Sequence, residues 1–336
     1  MTNNRELNRR AIAVLQELAE RIGPRPTGSA GNRDAARHIR QSFSECGLAV
    51  ETQEFEALDW APGSCRLTAG GQEITAQINP YSPPCTTSAP GQLFRSLGEL
   101  EAAPALQGYI AVLDGDFIAG QIMPKNFPFY NPDEHLRLNQ ALEQKKPEAV
   151  VAIGQKGHRG EPLFADGDLP VPSVTVPREE AEKLRRSMNR AARADLQANL
   201  ALSIESSTTK SHGENVLARL NPGASAKVTV VAHFDTWFGT PGAMDNAVGV
   251  AVLLGLAQLL SGAAREEGQR PGHGTEDRQG LEQGSAAEVS PDLEVELVRL
   301  STRGDRVFQS LLGSAYIHVI WLLIIGEPAL WVASII

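Results

Sequence analysis

Several signals that mark specialised classes of protein are scarce or missing in this sequence. The 336 residues include three cysteines, Cys46, Cys65 and Cys85, so we expect neither a disulfide framework nor a zinc knuckle. There are 31 Lys and Arg against 40 Asp and Glu, and this acidic balance argues against a nucleic-acid partner. The opening MTNNRELNRR lacks the apolar run of a signal peptide, so we expect a cytoplasmic chain.

The composition that remains is typical of a globular chain. Hydrophobic residues make up 42% and charged residues 21%, which separates the chain from disordered and collagen-like proteins. At roughly 150 residues per domain, the length suggests about two domains. The order of elements predicts the α/β class, with a mostly parallel central sheet, flanking helices and a β-rich inserted module.

The N-terminal part shows two helical patterns and one strand pattern. Residues 5–22 carry apolar side chains at helical spacing and end at Gly23-Pro24. A second helix is predicted from Arg33 to Cys46, and alternation predicts a strand over 48–55. These elements are expected to be scaffold.

Residues 57–200 differ in character and indicate a separate module. A helix is expected around 134–144, and nothing here has the spacing of metal ligands, so His135 and His158 are expected in loops. Short strands are predicted at Tyr109–Leu113, Ala149–Ile153 and Ser173–Val176.

The residues that carry chemistry follow a buried strand. The apolar run over 227–231 leads directly into His233 and Asp235, and a loop then leads to Asp245 and an apolar helix over 247–260. Open α/β sheets place their ligand sites at the carboxyl ends of strands, which is where these side chains are expected.

The residue types suit a zinc site. Imidazole and carboxylate are zinc ligands, and the two oxygens of the Asp245 carboxylate allow it to bridge two ions. Asp235 lies two residues after His233, on the same side of an extended chain, where it can accept the other ring N–H and fix the tautomer. The alternative is a capped helix, with Asp245 or Asn246 as the N-cap and His233 as a satisfied core histidine. The combined strand–HFD–PGAMDN–helix pattern favours the metal site.

The segment AHFDTWFGTPGAMDNAVGVAVLL resembles the first metal motif of metallopeptidase family 28, the co-catalytic zinc exopeptidases. The upstream ENVLARLNPGASAKVTVVA and the early GPRPTGSAGNRDAARHI are also similar to this family, so the resemblance covers residues 5–261. Within 57–200, the segments GYIAVLDGD, KPEAVVAI and LPVPSVTV resemble the protease-associated domain.

The resemblance implies a function and a role for each site residue. It implies a zinc-dependent exopeptidase, an aminopeptidase that hydrolyses the N-terminal bond of a peptide substrate with a metal-activated water. His233 would bind one zinc ion, Asp235 would orient that histidine, and Asp245 would bridge two zinc ions. A glutamate would act as the general base, and no residue of this sequence is assigned to that role.

The resemblance also implies a division of the chain. An incomplete zinc exopeptidase-like catalytic domain is expected from 1–56 and 201–300, with the protease-associated-like insert at 57–200. Residues 262–290 are rich in Gly, Glu and Gln and predict a low-complexity loop. Residues 301–336 are expected to be an atypical apolar tail.

The later part of the family's ligand set is not found. The family has an adjacent acidic pair after its next strand, and the strand predicted at Leu293–Val298 is followed by Asp305 without a neighbouring Glu. Glu294 and Glu296 alternate along that strand and are expected on an exposed edge. Glu266-Glu267 is an adjacent pair, but it falls in the predicted loop and is interpreted as a decoy.

The tail leaves three interpretations open. Its apolar runs are broken by Gly-Glu-Pro, which makes a membrane helix the minority interpretation. Two buried strands joined by this turn are the second interpretation. The third is an altered reading frame, which the abrupt change of character and the absent ligands favour. His318 lies in this tail, too early for the family's late ligand. The alternative function is therefore a non-catalytic remnant, or a peptide- or protein-binding module that lacks the general base and the later zinc ligands. The oligomeric state is not predicted.

Overall fold

A computed structural model of the chain describes residues 4–126, 131–155, 161–194, 196–268 and 293–300, and short strands at 321–322, 325–326, 329–330 and 332–334. These residues form two compact units. The first contains the described residues up to Asp59 and from Lys210 onwards, and the second contains those from Trp60 to Thr209. Whether the second unit is a protease-associated domain stays a prediction.

The helices agree with the predicted pattern in number and place over the N-terminal part. In chain order they are α1 (Asn4–Gln16), α2 (Ala30–Glu45), α3 (Leu97–Ala102), α4 (Asp133–Lys145), α5 (Arg178–Arg193) and α6 (Val248–Gly268). Wider helical turns at Glu17–Ile22 and Ala243–Ala247 extend α1 and precede α6, and a short 3₁₀ turn covers Asp116–Ile118.

The strands are longer at the unit boundary than predicted. The described strands are β1 (Ala49–Ala69), β2 (Gln72–Ile74), β3 (Gln77–Ile78), β4 (Cys85–Phe94), β5 (Ile110–Leu113), β6 (Ala149–Ile153), β7 (Ser173–Val176), β8 (Asn199–Leu220), β9 (Ala226–His233), β10 (Leu293–Leu300), β11 (Trp321–Leu322), β12 (Ile325–Gly326), β13 (Ala329–Leu330) and β14 (Val332–Ser334). The strand predicted over 48–55 is the first part of β1.

The sheet of the first unit is built around β9 and β10. These strands pair in parallel from Ala226↔Leu293 to His233↔Leu300, and α6 lies between them in the chain. On its other side β10 pairs antiparallel with the last part of β8. The expectation that Glu294 and Glu296 lie on an exposed edge is therefore wrong, because β10 lies between two strands.

The described strands of the tail pair with one another and with β9. β12 pairs antiparallel with β13, and β14 pairs in parallel with β9. The described pieces of the tail are thus short strands, and the three interpretations of the tail as a whole stay predictions. Asp305 and His318 lie outside the described residues.

Three helices pack their apolar sides into the core of the first unit. Ile39 and Phe43 of α2 and Val250 and Leu253 of α6 are fully buried, as is Leu18 in the turn after α1. Over the described residues, one helix is long and apolar enough to cross a membrane, Ala243–Arg265. Most of its buried apolar residues, among them Val250 and Leu253, belong to this core, as expected for the inner helix of an α/β sheet.

Helix α6 is longer than predicted. Its last turns cover residues 261–268, the first part of the predicted low-complexity loop, and the rest of that loop lies outside the described residues. Ala263, Ala264 and Arg265 are strong helix formers, and the Arg265 guanidinium donates to the Cys46 carbonyl at 2.6 Å. The Glu266-Glu267 pair is therefore helical, not part of a loop.

The second unit has a core of its own. Strands β4, β5, β6 and β7 pair in parallel, β3 pairs antiparallel with β7, and the first part of β8 pairs antiparallel with β4. The predicted strands β6 and β7 have the expected bounds, because both are continuous apolar or β-branched runs. Buried residues of α3 and α4, such as Leu100, Leu138 and Leu142, pack on this sheet.

Candidate metal site

The end of β9 presents two polar side chains around one buried aromatic side chain. Phe234 is fully buried in the core of the first unit. His233 and Asp235 flank it and, because side chains alternate along an extended chain, lie on the opposite side. The core therefore fixes the direction in which the imidazole and the carboxylate point.

His233 lies between two carboxylates. Its Nδ1 is 3.2 Å from Oδ1 of Asp235, and its Nε2 is 2.9 Å from Oδ1 of Asp245. Burial opposes the charged imidazole, but the hydrogen bonds to Asp235 and Asp245 outweigh this effect and raise the pKa of His233 to about 9. The three residues predicted from the sequence are thus in direct contact.

Asp245 and Asn246 divide the two roles that the sequence left open. Asn246 is buried, and its Oδ1 accepts a hydrogen bond from the Gly249 N–H at 2.9 Å, so Asn246 is the N-cap of α6. The side chain of Asp245 is 84% exposed and faces the imidazole. The helix cap and the His–Asp contact therefore coexist at this turn.

The donor set fits one side of a zinc site. Two ligands of a tetrahedral zinc ion lie about 3.3 Å apart, given bonds of about 2.0–2.1 Å, and Nε2 of His233 and the Asp245 oxygen are 2.9 Å apart. Asp235 holds the opposite ring nitrogen, as expected for a residue that orients a ligand histidine. Within the described ranges, no group of three His, Cys, Asp or Glu side chains is placed to hold one metal ion.

Arg25 is the important residue that the sequence reasoning missed. It is fully buried although it is charged, and it belongs to the segment GPRPTGSAGNRDAARHI, whose similarity to metallopeptidase family 28 is the signal in the sequence that points to it. Burial lowers its pKa to about 10, and the carboxylates of Asp235 and Asp245 oppose that shift. The guanidinium donates at 2.6–2.9 Å to the carbonyl oxygens of Leu18, Gly23, Phe234, Pro241 and Gly242.

The same segment contacts Asp235 directly. The hydroxyl of Thr27 donates to Oδ2 of Asp235 at 3.2 Å, while Oδ1 of that carboxylate faces His233. The Arg25 N–H donates to Oγ1 of Thr236 at 2.9 Å. Asp235 and Thr236, which follow the end of β9, are therefore both hydrogen-bonded to the N-terminal segment.

His135, in the second unit, is not a loop residue as predicted. It lies in the first turn of α4, because Pro132 and the acidic Asp133 and Glu134 favour a helix start at this point. Its Nδ1 accepts a hydrogen bond from the Met123 N–H at 3.1 Å. His158 lies outside the described residues.

The state of His135 predicts a pH dependence of stability. Burial lowers the pKa of His135, and the charge of Glu134 opposes this only in part. Well above pH 6.5 the histidine is neutral in both the folded and the unfolded state. Below it the unfolded chain takes up the proton first, so the free energy of unfolding falls as the pH drops towards the lower, folded pKa. We expect urea midpoints of the wild type to fall more steeply from pH 7 to pH 5 than those of His135→Gln; equal slopes would contradict this.

Comparison with known families identifies the segment that carries this geometry. Residues 215–273 match the family described as Peptidase family M28, and they include His233, Asp235 and Asp245. This part of the chain is similar to peptidase family M28. The resemblance inferred from the sequence is thereby confirmed.

Curated relatives of the M28 segment are named as aminopeptidases. The chain is 23% identical over 253 residues to "Aminopeptidase YwaD" of Bacillus subtilis (strain 168), which covers 74% of this chain and 50% of the relative. It is 24% identical over 271 residues to "Probable lipoprotein aminopeptidase LpqL" of Mycobacterium tuberculosis, with 74% and 48% covered. The chain thus spans about half the length of the curated relatives that it matches.

Solved structures support the M28 fold. An aminopeptidase from Aneurinibacillus sp. strain AM-1 aligns with a TM-score of 0.60 at 20% identity, covering 87% of this chain and 61% of that one. The zinc aminopeptidase BSAP from Bacillus subtilis aligns with a TM-score of 0.58 at 20% identity, covering 87% and 60%. The predicted α/β class with flanking helices is confirmed, and the sheet is mixed.

A second family matches the end of the chain. Residues 293–336 match the family described as "Predicted small integral membrane protein (DUF2160)". The first eight of these residues form β10, which pairs with β8 and β9 of the M28 unit. The expectations of a cytoplasmic chain without membrane contact stay predictions.

Proposed function

We propose that this chain is a zinc-dependent exopeptidase, an aminopeptidase that hydrolyses N-terminal peptide bonds. The observation that carries the proposal is the imidazole of His233 held between Asp235 and Asp245 at the carboxyl end of β9. The M28 match over 215–273 and the names of the curated relatives support it.

In this proposal, the described residues hold the metal ion and orient the histidine that binds it. Nε2 of His233 and the carboxylate of Asp245 would hold zinc, and Asp245, with two oxygens, would share a second ion. Bound zinc supplies a Lewis acid that lowers the pKa of a water to about 7 and polarises the substrate carbonyl. Asp235 would hold a proton on Nδ1 of His233, so that a bound metal ion would displace only the proton on Nε2.

Metal content and cleavage of a pair of substrates test the proposal. The purified chain is loaded with zinc, and its cleavage of leucine p-nitroanilide is compared with that of the N-acetylated compound. An aminopeptidase cleaves the first and not the second, and 1,10-phenanthroline removes the activity until zinc is restored. Cleavage of both compounds, or activity without metal, would contradict the proposal.

A second candidate is a non-catalytic metal- or peptide-binding remnant. It is favoured by the lack, among the described side chains, of a group of three that could hold one metal ion, since zinc sites use at least three protein ligands. Less than one equivalent of bound zinc, without cleavage of either anilide, would favour this candidate over the exopeptidase.

A further inference from the structure

We propose that Arg25 and Thr27 are positioning residues of the candidate metal site, together a clasp that fixes the loop carrying Asp235 and Asp245. The inference rests on the proposed function, because it assigns a task to the loop that would hold the metal. It concerns the segment between α1 and α2, which precedes the family-model match at residues 215–273.

The guanidinium of Arg25 joins the two ends of the loop. Its Nε donates to the carbonyl of Phe234, between His233 and Asp235, at 2.6 Å. Its Nη1 and Nη2 donate to the carbonyls of Pro241 and Gly242, close before Asp245, at 2.7 and 2.9 Å. One planar group thus sets the distance between the strand end and the turn that presents Asp245.

The N-terminal scaffold anchors the other side of the clasp. Nη1 of Arg25 also donates to the carbonyls of Leu18 and Gly23, where the first helical segment ends. Gly23 has a φ of 73°, a value that favours glycine, and this conformation ends the helix. Its carbonyl faces the guanidinium of Arg25. The loop is therefore tied to a packed helix rather than to another loop.

Thr27 completes the clasp on the side chain of Asp235. Its hydroxyl donates to Oδ2, which leaves Oδ1 for the Nδ1–H of His233. A carboxylate that is held on one oxygen rotates less freely, so the imidazole is presented with Nε2 towards Asp245. Thr27 is buried, as a fixed contact of this kind requires.

These contacts indicate that Arg25 acts by positioning the loop and not through its charge. A buried cation near a metal site repels a divalent ion, so on charge alone neutralising Arg25 would tighten metal binding. A positioning role predicts the opposite, because the loop ends lose their common anchor. The planar fork is also specific: lysine keeps the charge, but its ammonium cannot reach carbonyls on three segments at once.

Cobalt(II) titration of four variants tests the clasp. Arg25→Lys, Arg25→Met and Thr27→Val are compared with Arg21→Lys, which changes an exposed arginine paired with Glu17. Affinity is read from the cobalt absorption bands, and zinc affinity from competition with a chelator. We expect both Arg25 variants and Thr27→Val to bind about 10–100-fold more weakly, as for residues that orient metal ligands, and Arg21→Lys to match the wild type.

Hydrogen exchange separates failure of the clasp from failure of the proposed function. Without any metal, Arg25→Lys is expected to speed amide exchange over residues 234–247 by about tenfold or more, with the amides of β9 unchanged. If the wild type binds no cobalt, the proposed function fails, and this readout still decides the clasp.

Three results would overturn the inference. They are cobalt affinity in Arg25→Met equal to or tighter than the wild type, full retention of affinity in Arg25→Lys, and unchanged exchange over 234–247. If both Arg25 variants fail to fold, Thr27→Val decides, because it removes one hydroxyl and leaves the buried charge in place; unchanged cobalt affinity in that variant would overturn the inference.

Discussion

Asp245→Asn is expected to abolish peptidase activity and to weaken zinc binding by more than about 100-fold, beyond the 10–100-fold typical of residues that only orient a ligand. The reason is chemical: the amide keeps the shape of the side chain and its contact with His233, but it loses the charge that binds a metal ion. The 2.9 Å contact of Asp245 with Nε2 places this charge where the ion would lie.

Folding stability separates this effect from general damage. The Asp245 side chain is largely exposed, so its replacement by an isosteric amide is expected to change the urea midpoint little. Asp34→Asn is a matched control, since Asp34 is also partly exposed and pairs with Arg37 on α2. Zinc affinity in Asp245→Asn within a factor of about three of the wild type would show that the site is assigned wrongly.

Asp235→Asn provides the intermediate case. Its carboxylate contacts Nδ1 of His233 and not the expected metal position, so we expect a loss of about 10–100-fold in metal affinity. A larger loss of metal affinity in Asp245→Asn than in Asp235→Asn is the result expected for a ligand and the residue that orients it. A larger loss in Asp235→Asn would instead identify Asp235 as the ligand and Asp245 as the orienting residue.

The site could be predicted where it depends on neighbours in sequence. His233 and Asp235 follow a continuous apolar strand, and Asp245 and Asn246 precede an apolar helix, so local patterns place all four at one end of the sheet. The interpretation as a metal site and the interpretation as a helix cap compete in the sequence. In the structure they belong to different residues, because Asn246 turns inward to cap and Asp245 turns outward.

Long-range contacts could not be predicted in this way. Arg25 lies more than 200 residues from its acceptors at Phe234 and Gly242, and a buried arginine looks no different in sequence from an exposed one. The place of β10 between β8 and β9 depends on pairing partners, which the alternation of Glu294 and Glu296 does not specify. The end of α6 was not predicted because the composition of 262–290 indicates a loop, whereas the helix propensity of its first residues favours the helix.

Gly242→Ala is expected to destabilise the first unit by about 2–5 kcal/mol and to displace Asp245. Gly242 has a φ of 56°, in the left-handed region, and a Cβ there would lie 2.2 Å from Cγ2 of Thr236. It would also lie 2.7 Å from the backbone oxygen of Asp245, which cannot give way without moving the metal-facing carboxylate. Zinc affinity is therefore expected to fall together with stability.

Gly239→Ala isolates the steric part of this effect. Gly239 lies in the same loop with a φ of 72°, but a Cβ there meets no atom within 4 Å. The substitution introduces backbone strain alone, so we expect the free energy of unfolding to fall by about 1–2 kcal/mol. Zinc affinity is expected to stay close to that of the wild type. Urea midpoints and cobalt titrations of both variants measure the difference. Equal losses of stability and of metal affinity in the two variants would contradict this prediction. They would mean that the turn tolerates a side chain at Gly242, and that the close approach of Gly242 to Asp245 does not set the position of the carboxylate.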